Sequence, residues 1–262
     1  MSLKYYLGVI VSTPLLPIMF FQGKKIRATV PNLPEAKNPK GYIKKESDKT
    51  LKIICIGEST IAGVGVDFHK NGFPGALANE IATSNNISVL WNVYAKSGYT
   101  AKMVRKKLVP IIEESNADAI IIGLGGNDAF TLNSPEVWMF QINQLIKKLK
   151  RKYPKTTIYF TNMPPIKEFP AFTKTIKFVI GNLVEIFGKR LHRRVSRKRD
   201  VYYNNEIITL ENWQNKYNIQ GDVSIFFSDG VHPSKLTYQT WGKDMANFMM
   251  STESFKTWMQ KK

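Results

Sequence analysis

The 262 residues, 43% hydrophobic and 22% charged, have the composition of an ordinary globular protein and suffice for one large domain with a buried core. One cysteine rules out an intramolecular disulfide and a cysteine-based metal site, and the three histidines lack metal-ligand spacing, so no metal and no cofactor is expected. The net charge of +18, from 38 Lys+Arg against 20 Asp+Glu, implies attraction to something anionic and is silent about fold.

Residues 5–21, "YYLGVIVSTPLLPIMFF", carry no charge; Lys4 precedes them and Lys24, Lys25 and Arg27 follow. The run is at the lower edge of a spanning length, and Pro14 and Pro17 weaken the helix reading. It has no small-residue cleavage site, and no cysteine for a lipid anchor. Residues 1–22 are therefore expected to be an uncleaved membrane anchor, with a signal peptide or a packed apolar segment as alternatives. The flanking charges leave the side of the membrane open. Residues 23–50, rich in Lys and Pro without periodicity, read as a linker or an arm on the domain surface. The domain proper is expected over 51–262.

From there apolar runs alternate with helical patterns. "LKIICIG" (51–57), "ISVLWNVYA" (87–95), "ADAIIIGLG" (117–125) and "TTIYFTNMPP" (156–165) read as buried strands. "GFPGALANEIATS" is a helix, as is "TAKMVRKKLVPIIEES", which Pro110 should bend or split. Ser134-Pro135-Glu136 is a strong helix start. β-branched strands separated by helices predict a mostly parallel sheet in a three-layer α/β/α sandwich.

Residues 172–199 repeat apolar positions at three- and four-residue steps and end in a dense Lys/Arg cluster. This is an amphipathic helix, and it either packs on the core or meets anionic headgroups. The cluster lacks interleaved aromatics and any nucleic-acid module, so no specific nucleic-acid partner is expected.

In an open parallel sheet, ligands bind outside the carboxyl ends of the strands. Ser59 follows the first strand, Gly98 the second and Asn127 the third. They bring a hydroxyl, a flexible backbone amide and a carboxamide to one rim, as a nucleophile and oxyanion donors. A serine needs a base. His192 sits among arginines and His69 has no orienting partner. His232 in "SDGVHPS" has Asp229 three residues earlier, a spacing that lets the carboxylate accept from one ring nitrogen and leaves the other as the base.

The blocks "GEST", "SGYT", "GGND" and "DGVHPS", in that order over about residues 51–245, resemble the SGNH hydrolases, the GDSL-type esterases and lipases. "QGKKIRATVPNLPEA" and "MPPIKEFPAF" further resemble a bacterial subgroup, which brings no known substrate. The resemblance implies a flavodoxin-like α/β/α fold and an acyl-enzyme mechanism. It implies Ser59 as nucleophile, His232 as general base and acid, and Asp229 as its orienting carboxylate. The Ser59 and Gly98 N–H groups and the Asn127 amide would form the oxyanion hole. Asp128 reads as a loop-structuring residue. One departure stands out: the family usually has Asp before the serine, and this chain has Glu58.

The expected activity is a metal-free serine esterase. Its substrate would be an ester, of a lipid or lysophospholipid near an anionic membrane surface, or alternatively an acetylated glycan. A non-catalytic, membrane-associated binding protein on the same scaffold is the reading from another class.

Overall fold

The computed structural model describes residues 3–260. Its centre is a sheet of β1 (Lys40–Ile43), β2 (Thr50–Gly57), β3 (Ser88–Ala95), β4 (Ala119–Gly123), β5 (Thr157–Phe160) and β6 (Val201–Tyr203). The spatial order is β1-β3-β2-β4-β5-β6, and every neighbour pair is parallel except the antiparallel edge pair β1–β3. Strand alternation splits the apolar residues between two layers. Ile54, Ile56, Ile120, Ile122, Ile158 and Phe160 enter one core, and Ile53, Cys55, Ile121 and Tyr159 enter the other. Burying each such side chain contributes roughly 1.5–3 kcal/mol.

Helices close both faces. In chain order they are α1 (Leu3–Ser12), α2 (Leu16–Thr29), α3 (Phe73–Asn85), the turn α4 (Ala101–Met103), α5 (Gly126–Phe130), α6 (Pro135–Lys152), α7 (Lys174–Val195), α8 (Leu210–Tyr217), α9 (Lys235–Ser251) and α10 (Glu253–Gln260). α3, α9 and α10 cover the second core, and α6 and α7 the first. Pro110 breaks its helix as expected: α4 passes through a π turn at Val104–Leu108 into a 3-10 turn at Val109–Ile111. The α/β/α sandwich with a mostly parallel sheet is thus the observed architecture.

Three expectations change at their edges. The sheet reaches back to Lys40, eleven residues before Leu51, because residues 40–43 pair with β3 at the edge. Part of the segment read as a linker or arm is therefore a strand. The strands expected at 117–125 and 156–165 keep only Ala119–Gly123 and Thr157–Phe160, since their last residues turn onto the rim. Pro14 and Pro17 do not stop the N-terminal helical course. Each falls in the first turn of a helical segment, where the missing N–H is not needed, with a 3-10 turn at Thr13–Leu15 between α1 and α2. Tyr5–Thr29 is long and apolar enough to cross a membrane.

Candidate active site

The chain leaves β2 for β3 on one side and later takes up β4 on the other. The strand order reverses between β2 and β4, and a crevice opens at their carboxyl ends. Gly57 and Gly123 stand opposite each other there. A Cβ on Gly57 would come within 2.5 Å of the Gly123 carbonyl oxygen, and one on Gly123 within 2.6 Å of Ile61 Cγ1. Two glycines are what let Ile61 seat across the strand ends and turn the chain at Ser59.

Ser59 does not cap a helix. Residues 58–65 form successive turns, in which Ala62 N–H donates to the Glu58 carbonyl at 2.9 Å and Val64 N–H to that of Ser59 at 3.1 Å. The serine is half-buried, and its hydroxyl has no hydrogen-bond partner among the described residues.

Glu58 is what joins the blocks. It is buried, and its carboxylate oxygens accept from Gly126 N–H and Asn127 N–H, each at 2.9 Å. The Asn127 side chain in turn donates to the Tyr99 carbonyl at 3.2 Å. Asp128 is fully buried and accepts from Ala101 N–H at 2.8 Å and from Asn133 Nδ2 at 3.1 Å. It ties the loop of the second block to that of the third, in keeping with a loop-structuring residue. Gly98 adopts φ +79°, a conformation that favours glycine, and its N–H has no acceptor among the described residues. Ser59, Gly98 and Asn127, far apart in sequence, thus hang on one hydrogen-bonded frame.

His232 and Asp229 lie on the loop before α9. The Asp229 side chain is buried; one oxygen accepts from Val231 N–H at 2.9 Å and His232 N–H at 2.6 Å, and the other is 2.7 Å from His232 Nδ1. Burial pushes the Asp229 carboxyl up, but the bonds from the His232 ring and the two backbone N–H groups outweigh it and hold it below its ordinary value. An ionised carboxylate only accepts, so Nδ1 carries the hydrogen, and in the neutral ring Nε2 then presents its lone pair. The loop and α9 are stitched to the turns after Ser59: Ser228 Oγ donates to the Gly65 carbonyl at 3.0 Å and, from α9, Tyr238 Oη to that of Val64 at 2.8 Å. Ser59 and His232 share no direct hydrogen bond, a contact that commonly tightens only with substrate bound.

The other histidines stay out. His69 is buried with Nδ1 unpartnered, and desolvation lowers its pKa to about 4. His192 is exposed at the end of α7 and lines a cavity of about 420 Å³ between α7 and the loops after β5 and β6. That cavity lies on the same rim but is lined by neither Ser59 nor His232.

One contributor went unread in the sequence. Glu35, in the supposed arm, accepts from Ser97 N–H at 2.7 Å and from Lys96 Nζ at 3.0 Å, while Ala36 N–H donates to the Ala62 carbonyl at 2.9 Å. The arm thus braces the loops carrying Gly98 and Ser59. A lone glutamate in a Pro/Lys-rich stretch gave no signal of this.

Glu58 makes the fold's stability pH-dependent. Complete burial, aided by the Asp128 charge, raises its carboxyl to about 7 from 4.5, against the lowering effect of the two backbone N–H donors and the Asn127 side chain. The folded state therefore holds this proton more tightly than the unfolded chain. The resulting stability, about 3 kcal/mol, is full below pH 4.5 and is lost as pH rises through 7. Neutral His69 acts oppositely: its contribution is present above pH 6.5 and is lost as pH falls toward 4. The two offset each other over the shared window. Glu58→Gln should uncover the histidine. Relative to wild type, its unfolding free energy should gain about 2–3 kcal/mol between pH 4.5 and 7 in urea titrations. Parallel pH profiles for the two proteins would contradict this.

The GDSL-like Lipase/Acylhydrolase family profile matches residues 55–240. A lipase from a goat rumen metagenome superposes with TM-score 0.55 at 18% identity, covering 75% of this chain and 96% of its own. A lipolytic G-D-S-L family protein from Veillonella parvula gives TM-score 0.58 at 15% identity, with 77% and 100% covered. A family 3 carbohydrate esterase from Clostridium thermocellum gives 0.56 at 18%, with 77% and 99% covered. At such identities these structures share the fold. No curated protein sequence matches the chain significantly.

Proposed function

The chain belongs to the GDSL-like lipase/acylhydrolase family and is a carboxylic ester hydrolase, and from that premise we propose that Ser59, His232 and Asp229 carry the reaction on lipid esters. His232 Nε2 takes the Ser59 proton as the oxygen attacks the ester carbonyl. The imidazolium, stabilised by Asp229, then protonates the leaving alcohol. Water, deprotonated by the same nitrogen, releases the acid from the acyl-enzyme. The N–H groups of Ser59 and Gly98 and the Asn127 side-chain amide are the donors for the oxyanion. The observation that carries this reading is the His232–Asp229 pair on a loop stitched to the Ser59 turns.

The lipid assignment rests on an aromatic run beside the site. Phe227, two residues before Asp229, contacts Phe169 at 5.4 Å between ring centroids; Phe169 contacts Phe172 at 5.3 Å, and Phe172 contacts Phe130 at 5.3 Å. Phe130, three residues after Asn127, is exposed. Phe169 and Phe172 are buried, and Phe130 brings the run to the surface as an apolar spot beside the Asn127 loop, on which an acyl chain could rest. The apolar N-terminal helix would keep the enzyme at the membrane holding that substrate. Two measurements test the proposal. A fluorophosphonate should modify Ser59, located by peptide mass. Turnover should rise with acyl length on anionic vesicles; preference for O-acetylated sugars would replace lipid with glycan, and no labelling would overturn the catalytic assignment.

A further inference from the structure

The N-terminal helical course lies along α7. Its half-buried positions are Tyr5, Ser12, Leu15, Leu16, Met19, Gln22, Gly23 and Ile26, a stripe at three- and four-residue steps. Gln22 accepts from Thr173 Oγ1, at the N-cap of α7, at 2.6 Å. Tyr5, Ser12 and Leu16 share a cleft of about 220 Å³ with Phe178, Asn182 and Ile186 farther along. The two helices therefore run antiparallel. The outward face is apolar as well: Leu7, Ile10, Val11, Ile18, Phe20 and Phe21 are each at least 50% exposed. Leu132, just past α5, and Phe178 border the same cleft and are also exposed.

We propose that this helix is an in-plane membrane platform, docked on α7 with its outer face in the bilayer, rather than a spanning anchor. This rests on the membrane attachment proposed above and specifies its form. A spanning pose and the docked pose exclude each other. To keep its seat on a spanning helix, α7 would have to enter the hydrocarbon with Lys174, Lys177, Lys189, Arg190, Arg193 and Arg194. Lying flat, the helix buries its outer face among acyl chains while these cations stay near the headgroups. The occupant is an anionic bilayer on charge grounds. Lys24, Lys25 and Arg27 end the helix beside Lys174 and Lys177, and two chains of net charge +18 repel one another. Leu132 follows the helix that begins beside Asn127, so the platform sets the site's rim against the lipid.

The full chain, bound to vesicles of phosphatidylcholine and phosphatidylglycerol, provides the test. Cys55 is fully buried, so single cysteines introduced as Ile10→Cys or Phe21→Cys can carry a fluorophore quenched by lipids brominated at two depths. In-plane docking puts both labels at one shallow depth, and a spanning helix separates them by about 16 Å. A Ser12→Cys/Asn182→Cys pair should crosslink within one chain while vesicle-bound. Unequal depths, or no intrachain crosslink, would overturn the platform, as would unquenched labels that crosslink between copies. Turnover of a soluble nitrophenyl ester in the same samples reports on Ser59 alone, so the two proposals fail separately.

Discussion

Ser59→Ala is expected to lower kcat for ester hydrolysis by on the order of 10⁵–10⁶ and to leave unfolding free energy within about 0.5 kcal/mol of wild type. The first half follows from chemistry: the acyl-enzyme needs the Ser59 oxygen, and without it only binding and oxyanion stabilisation act on the ester. The second half follows from geometry. The hydroxyl is half-buried and has no hydrogen-bond partner among the described residues, so its removal leaves no orphaned polar group. Steady-state kinetics and a urea titration on the same preparation give both numbers. Turnover within tenfold of wild type would remove Ser59 from the mechanism. Large destabilisation would show instead that the serine holds the turn.

Asp229→Asn should cost about 10⁴ in kcat with the fold intact. The amide oxygen of the replacement can keep accepting from Val231 and His232 N–H, as Asp229 does at 2.9 and 2.6 Å. Its NH₂ must then face the ring nitrogen now 2.7 Å from the carboxylate. The ring answers by accepting at Nδ1, which moves its hydrogen to Nε2 and removes the base. Loss of the buried charge also leaves an imidazolium without its partner. NMR of the ring nitrogens reads the tautomer directly. Full activity in a variant with the hydrogen on Nε2 would contradict the role given to Asp229.

The layer order was legible because β-branched strands of a buried parallel sheet read as nearly continuous apolar runs, and "IICI" and "AIIIG" do so. The rim was legible too, since it needs only the ends of those runs, and Ser59, Gly98 and Asn127 all fall there. β1 and β6 were not. "KGYI" and "VYY" are too short to show a period, and they become strands only because an existing edge offers hydrogen bonds.

Glu58 marks the boundary. By itself the sequence determined that a carboxylate precedes the serine, and local pattern could take it no further, because its partners lie 68 and 69 residues away. Only the tertiary structure decided that its two oxygens bond the backbone of Gly126 and Asn127, and that burial makes the group titrate near neutrality. The same holds for Glu35 on Ser97 and for the N-terminal helix on α7. Periodicity and local chemistry are written along the chain, whereas desolvation and long-range hydrogen bonds exist only once distant segments have been packed together.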